Sequence, residues 1–299
     1  MDLSLNVYKV PERGETVTDD GGVAYTPGGK GANAAVAFKK LGADCALCAR
    51  LGADHHGQML YKYYCDMGLD TSLIKVDRDY PTGLAVVIKE GDGQNRIIHY
   101  QGANAHISND NLISAFNSSR PDAVFLNFEV SFATALAAAK IATVKKIPIF
   151  IDAAPADRAQ SLEALPPVEI FSPNEAETYA YTGINPQGME STTRAALALF
   201  RRVKCKYLVI KQGARGACIY DGKRITTVPA CKAEKVVDTT AAGDTFTAAM
   251  TVEYLRTGDI KAAVKYGTVA AAIAISRNGA TTSVPTADEV RRYMLSRGY

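Results

Sequence analysis

An α/β fold is predicted by this sequence: a mostly parallel sheet covered by helices, with a second, smaller β-sheet. Three observations predict it. From about Asp122 onward, short apolar runs alternate with helix-length patterns, the signature of a parallel sheet joined by helical crossovers. Before about residue 100, segments rich in Val and Ile flank a Gly-Asp-Gly turn instead, as the two arms of a β-hairpin do. With 47% hydrophobic and 22% charged residues over 299 positions, the chain has the balance of a folded globular protein and not of a disordered one.

In chain order, residues 3–7 and 15–25 have strand composition, residues 32–41 a helical pattern, and a strand lies near Ala46. Residues 82–89 and 96–101 form the hairpin around Gly91-Asp92-Gly93. The strands at about 2–25 and 82–101 then make one small sheet from two discontinuous segments, which projects from the α/β core as a natural lid. The core strands are residues 123–126, 147–151, 170–172 and 207–211. Helical patterns at 133–145 and 192–203 separate them, the second opening with Ser191 as N-cap. There is no repeat, low-complexity tract or Pro-rich linker, so residues 1–299 read as a single domain.

A net charge of +3, with acids and bases interspersed, excludes the basic stripes of a nucleic-acid-binding protein. The six cysteines are too scattered for a disulfide framework. Cys45 and Cys48 form a C-x-x-C, but no second pair completes a zinc site, and they read as buried strand residues. No apolar stretch reaches the ~18 residues of a membrane span and no leader pattern opens the chain. The expected location is the cytoplasm, with no membrane partner.

The most informative stretch is Asp238-Thr239-Thr240-Ala241-Ala242-Gly243-Asp244, followed by a helical pattern over 245–255. Small residues at a helix start leave backbone N–H groups converging where the helix dipole favours negative charge, which makes an anion hole. A carboxylate there either caps the helix or serves as a base toward a hydroxyl attacking a phosphoryl group. Asp244 read alone fits both. Gly28-Gly29-Lys30-Gly31-Ala32-Asn33 also leads into a helix. It is not a Walker A loop; it is either a plain turn or a place where a ligand approaches the backbone, with Lys30 and Asn33 offering hydrogen bonds to hydroxyls.

These two motifs, in this order, resemble the two signatures of the ribokinase family of carbohydrate kinases. Between them, Pro173-Asn174-Glu175-Ala176-Glu177 resembles the family's N-x-x-E motif and Gln212-Gly213-Ala214-Arg215-Gly216 its nucleotide-binding G-x-x-G turn. Further similarity lies in Gly102-Ala103-Asn104-Ala105, Ala154-Pro155-Ala156 and Ala241 to Phe246; many relatives carry Gly where Ala241 stands. The resemblance covers essentially the whole chain. It implies a three-layer α/β/α core with a small β-sheet lid, and transfer of the γ-phosphate of ATP to the terminal hydroxyl of D-ribose.

By this resemblance Asp244 is the general base, and the amides of Ala241, Ala242, Gly243 and Asp244 neutralise the transferring phosphoryl group. Asp2, placed before Gly14-Glu15-Thr16 as the family's sugar-binding Asp is, holds two ring hydroxyls; Gly29, Lys30, Asn33 and Glu129 are the other sugar contacts. Asn174, Lys211, Gly213, Gly216 and Gly243 match the ATP side, and Asn174 with Glu177 arranges the waters of an ATP-bound Mg²⁺. Asp238, Thr240, Ala274, Arg277, Gly279 and Ser283 match the site of an activating monovalent cation, K⁺, held mainly by backbone carbonyls. His55, His56, His99 and His106 lack metal-ligand spacing; His99 either faces the sugar or is a surface or packed residue. The lid's open edge implies a homodimer through the lid sheets.

One departure stands out: family members begin with an apolar strand before the position of Asp2, and here Met1 stands directly before it. The expectation is that the natural product starts upstream or that another segment fills the gap. Deoxyribose, fructose and ketodeoxygluconate are the alternative acceptors, with nucleosides behind them. A sugar or nucleotide sensor without turnover is the alternative of a different class, against which the presence of Asp244 and Gly243 counts.

Overall fold

The computed structural model describes residues 1–19, 21–90 and 95–298, so the Gly91-Asp92-Gly93 turn lies outside the described residues. The elements in chain order are β1 (Asp2–Val7), β2 (Val23–Thr26), α1 (Lys30–Lys40), β3 (Ala49–Gly52), α2 (His55–Asp66), β4 (Ile74–Asp77), β5 (Leu84–Glu90), β6 (Asn95–Tyr100), α3 (Asn109–Ser119), β7 (Val124–Leu126), α4 (Phe132–Val144), β8 (Ile149–Asp152), β9 (Val168–Ser172), α5 (Glu175–Thr182), α6 (Met189–Arg202), β10 (Cys205–Lys211), β11 (Ala217–Tyr220), β12 (Ile225–Val228), α7 (Ala242–Thr257), α8 (Ile260–Ala274) and α9 (Ala287–Ser296). They fall into two compact units, Met1–Gly29 with Leu47–Ile107, and Lys30–Ala46 with Ser108–Tyr299.

The larger unit is a three-layer α/β/α structure on a six-stranded sheet of order β12-β11-β10-β9-β8-β7. Strands β7 to β10 are parallel, and β11 and β12 extend the sheet antiparallel. All of β8 and the carboxyl-end halves of β9 and β10 are buried on both faces, which is why these stretches read as short apolar runs. Successive side chains point to opposite faces. Phe150, Ile170 and Val209 meet Phe246 and Met250 of α7 and Val264 of α8. The neighbours Ile149, Ile151, Phe171, Leu208 and Ile210 are buried on the other face, where Phe171 lies 6.3 Å from the Tyr181 ring of α5. Each such side chain contributes about 1.5–3 kcal/mol through burial. Helix α1 packs its Ala34, Ala37 and Phe38 against Ala248 and Ala249 of α7; small residues there let the two helices approach closely.

The smaller unit holds a four-stranded sheet of order β2-β1-β5-β6. Strand β1 is interior, antiparallel to β2 and parallel to β5, and β5 pairs antiparallel with β6. Both edge strands expose apolar side chains: Val23 and Tyr25 on β2, and Ile97, Ile98 and Tyr100 on β6. A parallel pair, β3 and β4, completes this unit with α2.

Several local expectations need correction. Among the described residues of 15–25 the strand is confined to Val23 onward, as part of Val23–Thr26, and residues 15–19 have no regular structure; the Asp19 carboxylate accepts from the amides of Tyr8 and Gly21 at 2.7 Å, and Gly22 takes φ +100°. Cys45 and Cys48 are half-buried and outside any strand, since the strand expected near Ala46 begins at Ala49. Ser191 is not the cap of α6. Met189 and Glu190 are good helix formers and extend the helix back to Gly188, whose amide Ser191 Oγ accepts at 3.0 Å. Among the described residues no helix is long and apolar enough to cross a membrane.

Candidate active site

Four parallel strands of the larger unit end on polar residues, at the edge where open α/β sheets bind ligands. Beyond β7 come Asn127 and Glu129, at the end of β8 stands Asp152, beyond β9 lie Asn174 and Glu177, and β10 ends at Lys211. The β9 and β10 ends are held together by the Lys211 amide donating to Pro173 O at 2.8 Å and by a parallel bridge between Asn174 and Lys211.

Helices α1 and α7 bring the two glycine-rich motifs together. Asp244, in the first turn of α7, is 5% exposed. Its Oδ2 accepts from Asn33 Nδ2 at 2.8 Å, and Lys30 Nζ stands 3.9 Å from Oδ1. The backbone N–H of Lys30 donates to Glu129 Oε2 at 2.6 Å, and the Glu129 amide to Asn127 Oδ1 at 3.1 Å. Burial pushes the Asp244 carboxyl above its usual range, opposed by the Lys30 ammonium and the Asn33 hydrogen bond, while the charge of Asp152 raises it further. The Asp244 charge in turn raises Lys30 well above the usual lysine range against the effect of burial. Asn33 Oδ1 is buried without a protein partner, an acceptor left for something else.

The N-terminus of α7 has no side-chain cap. Ala241 takes the left-handed φ of +57°, which explains why glycine fits this position; a Cβ there costs roughly 1–2 kcal/mol. The Ala242 amide is already used, donating to Thr239 O at 3.2 Å. First-turn amides have no intrahelical acceptor, so Gly243 and Asp244 are left to meet an anion. Gly243 presents an open face: an added Cβ would find only Lys211 Nζ, at 3.8 Å.

The residue that motif reading missed is Asp152. Its Oδ2 lies 2.8 Å from Lys211 Nζ and 2.9 Å from Thr247 Oγ1 of α7, with all three buried. Its Oδ1 is buried without a protein partner. Asn174 and Glu177 form the capping box of α5, Glu177 Oε2 accepting from the Asn174 amide at 2.7 Å and Asn174 Oδ1 from the Glu177 amide at 2.8 Å. Burial raises the Glu177 carboxyl, and Lys211 pulls it back. The G-x-x-G turn needs its glycines: Gly213 and Gly216 have φ +53° and +94°, and a Cβ on Gly216 would sit 2.1 Å from Val228 O. Arg215 between them is paired with Glu175.

Of the residues expected at a monovalent-cation site, Asp238, Thr240 and Gly279 are joined by hydrogen bonds. Asp238 Oδ1 accepts from the Thr240 amide at 2.9 Å and Oδ2 from the Gly279 amide at 3.0 Å. The Arg277 amide donates to Ala274 O at 3.0 Å, Ser283 Oγ to Ala280 O at 2.8 Å, and the Arg277 side chain pairs with Glu289. Among the described residues no three His, Cys, Asp or Glu side chains gather as direct metal ligands.

In the smaller unit, Asp2 opens β1 and lies against Gly28, where a Cβ would come within 2.0 Å of the Asp2 carboxylate. Gly29 follows with φ +97°. His99 is on the exposed strand β6, its pKa lowered by burial and partly restored by Asp2.

The larger unit therefore offers a buried carboxylate at a helix N-terminus, two lysines, free acceptors and a glycine turn. That set suits phosphoryl transfer to a hydroxyl, in which positioning and charge neutralisation do most of the catalysis. Comparison with known proteins agrees. The pattern of the pfkB family carbohydrate kinases matches residues 1–287. The chain is 33% identical over 298 residues to the ribokinase of Bacillus subtilis (strain 168), spanning 98% of this chain and 96% of that one. It is 31% identical over 296 residues to the ribokinase of Haemophilus influenzae, spanning 98% and 95%. The solved structure of Arabidopsis thaliana ribokinase complexed with ribose and ATP is similar at a TM-score of 0.86 and 28% identity, covering 98% of this chain and 95% of that one. The motifs, their convergence around Asp244 and these similarities place the chain in the pfkB family of carbohydrate kinases.

Proposed function

We propose that this chain phosphorylates D-ribose at its terminal hydroxyl with ATP, giving ribose 5-phosphate and ADP. The observation that carries the reading is the Asp244 carboxylate, buried at the start of α7 beside Lys30 and Asn33. Asp244 accepts the hydroxyl proton as that oxygen bonds to the γ-phosphorus and the bond from phosphorus to the β-phosphate oxygen breaks. The N–H groups of Gly243 and Asp244 and the α7 dipole offset the charge on the transferring group. The Lys30 ammonium favours the ionised form of Asp244, against the rise that burial imposes. Glu129 and the free Asn33 Oδ1 accept sugar hydroxyls, a role that Asp2 and Gly29 share by their motif.

On the nucleotide side, Lys211, Gly213, Gly216 and Asn174 serve ATP. The free Asp152 Oδ1, together with Glu177 and Asn174, is an all-oxygen set suited to the water shell of Mg²⁺. Bound with ATP, Mg²⁺ neutralises phosphate charge. A monovalent cation, K⁺, fits the oxygen-rich turn of Asp238, Thr240, Ala274, Arg277, Gly279 and Ser283. The cytoplasm is the proposed location, since ATP is supplied there.

The test is ADP release from Mg-ATP with ribose, deoxyribose, fructose, ketodeoxygluconate or adenosine, in KCl or in choline chloride. Ribose is expected to give the highest kcat/KM, with KCl raising the rate. A higher value for another sugar would reassign the acceptor, and silence with every sugar would end the kinase reading.

The apolar side chains exposed on β2 and β6 support a homodimer in which a second copy covers this sheet. Light scattering at micromolar concentration is expected to give twice the 31.9 kDa of one chain; the mass of a single chain would refute the dimer.

A further inference from the structure

Helix α1 carries Lys30 and Asn33 at its start and Lys40 at its end. Lys40 has no role in the chemistry above, yet its position is specific. Its Nζ donates to three backbone carbonyls of one loop, Thr281 O at 2.9 Å, Val284 O at 3.0 Å and Thr282 O at 3.4 Å. An ammonium has three donors and no acceptor, so the three carbonyls match its whole hydrogen-bonding capacity. The neighbouring Lys39 points to solvent.

The loop that Lys40 holds is the one bearing Gly279 and Ser283. Thr281, Ser283 and Val284 are buried, and the loop is fastened at its other side through the Gly279 amide on Asp238 Oδ2. Carbonyl oxygens converging in a buried turn repel one another unless a positive charge sits among them. Arg277 does not meet this need, because its guanidinium is directed to Glu289.

We propose that Lys40 is a tethered cation that positions the loop 279–284 for the exogenous monovalent cation. Its ammonium holds the carbonyls of Thr281, Thr282 and Val284 and so fixes the backbone that carries Gly279 and Ser283. This rests on the cation reading given under the proposed function. Because Ala34, Ala37 and Phe38 lock α1 against α7, the loop is braced by the same helix that presents Lys30 and Asn33.

The test is amide hydrogen exchange over residues 277–284 in the full chain without substrates, in choline chloride and then in KCl. In wild type the segment is expected to exchange slowly in both salts. In Lys40→Met it should exchange about tenfold faster or more in choline, the loss of one charged hydrogen bond or more. KCl should restore protection in that variant, at a higher half-saturating concentration than wild type shows in an activity titration. Lys39→Met should behave as wild type. Lys40→Gln, a milder change that keeps an amide donor, should fall between and serves if the Met variant does not fold. Equal exchange in the Lys40 variants and wild type would overturn the proposal. Faster exchange in the variants that KCl leaves unchanged would overturn the link to the exogenous cation. The kinase reading fails on different grounds, the silence of wild type with every sugar.

Discussion

Replacing Asp244 by Asn is expected to lower kcat by about 10²–10⁴-fold, the usual contribution of a general base, with ribose binding by calorimetry nearly unchanged. The Asn carbonyl can still accept from Asn33 Nδ2, so the pocket keeps its shape and loses only the proton acceptor. The pKa direction separates this loss from unfolding. Burial raises the folded pKa of Asp244 above the ordinary 3.8. Whatever stability the protonated carboxyl provides is therefore fully present below the unfolded pKa and is lost as pH rises through the folded one. Above the folded pKa the ionised Asp244 opposes folding, and there the neutral Asn should melt no lower than wild type. The same shift puts the acid limb of the wild-type kcat/KM profile above 3.8, with activity lost as pH falls and the base is protonated. Near-normal turnover in the Asn variant would remove Asp244 from the base role.

How much of this was legible in the sequence depended on whether a feature is local. The parallel strands announced themselves as short apolar runs, since β8 and the carboxyl-end half of β10 are buried on both faces. The motif residues Lys30, Asn33 and Asp244 were legible because glycines and small residues mark a chain that must bend into a helix start. Asp152 was not, because its meaning comes from Lys211 and Thr247, 59 and 95 residues away. A signal existed: an acid directly after the apolar run 147–151, at the carboxyl end of a parallel strand, is where a ligand group is expected. The prior use of the Ala242 amide was also hidden, since it follows from the left-handed turn at Ala241 that only coordinates show. Lys40 is hidden for a similar reason. Its partners are carbonyls, which have no residue identity to read. The capping error at Ser191 shows the limit of propensity rules at helix ends, where a serine at the third helical position and one at the cap look alike.

Removing Asp152 is the change with the largest expected effect on stability. Lys211 is 9% exposed and Asp152 2%, so Asp152→Ala would leave a buried ammonium with Thr247 Oγ1, at 3.2 Å, as its remaining hydrogen-bond partner among the described residues and the charges of Glu177 and Asp244 as its remaining offset. Breaking a buried pair from one side typically destabilises by about 3–5 kcal/mol, because the remaining charge keeps its desolvation penalty and loses its partner. That loss should appear as a lower urea midpoint with an unchanged slope. Asp152→Asn keeps an acceptor and should lose less. The double variant Asp152→Asn with Lys211→Met removes both charges and should recover much of the loss, since replacing a whole buried pair is often nearly neutral. Catalysis separates the pair's two roles. If Asp152 and Lys211 only held strand ends together, the double variant would recover rate along with stability. If they handle ATP phosphates and the Mg²⁺ water shell, it should melt near wild type and stay slow, with its KM for ATP raised. A full recovery of rate would restrict the pair to structure. It would also leave the nucleotide side of the proposed site to Asn174, Glu177, the G-x-x-G turn and the α7 amides.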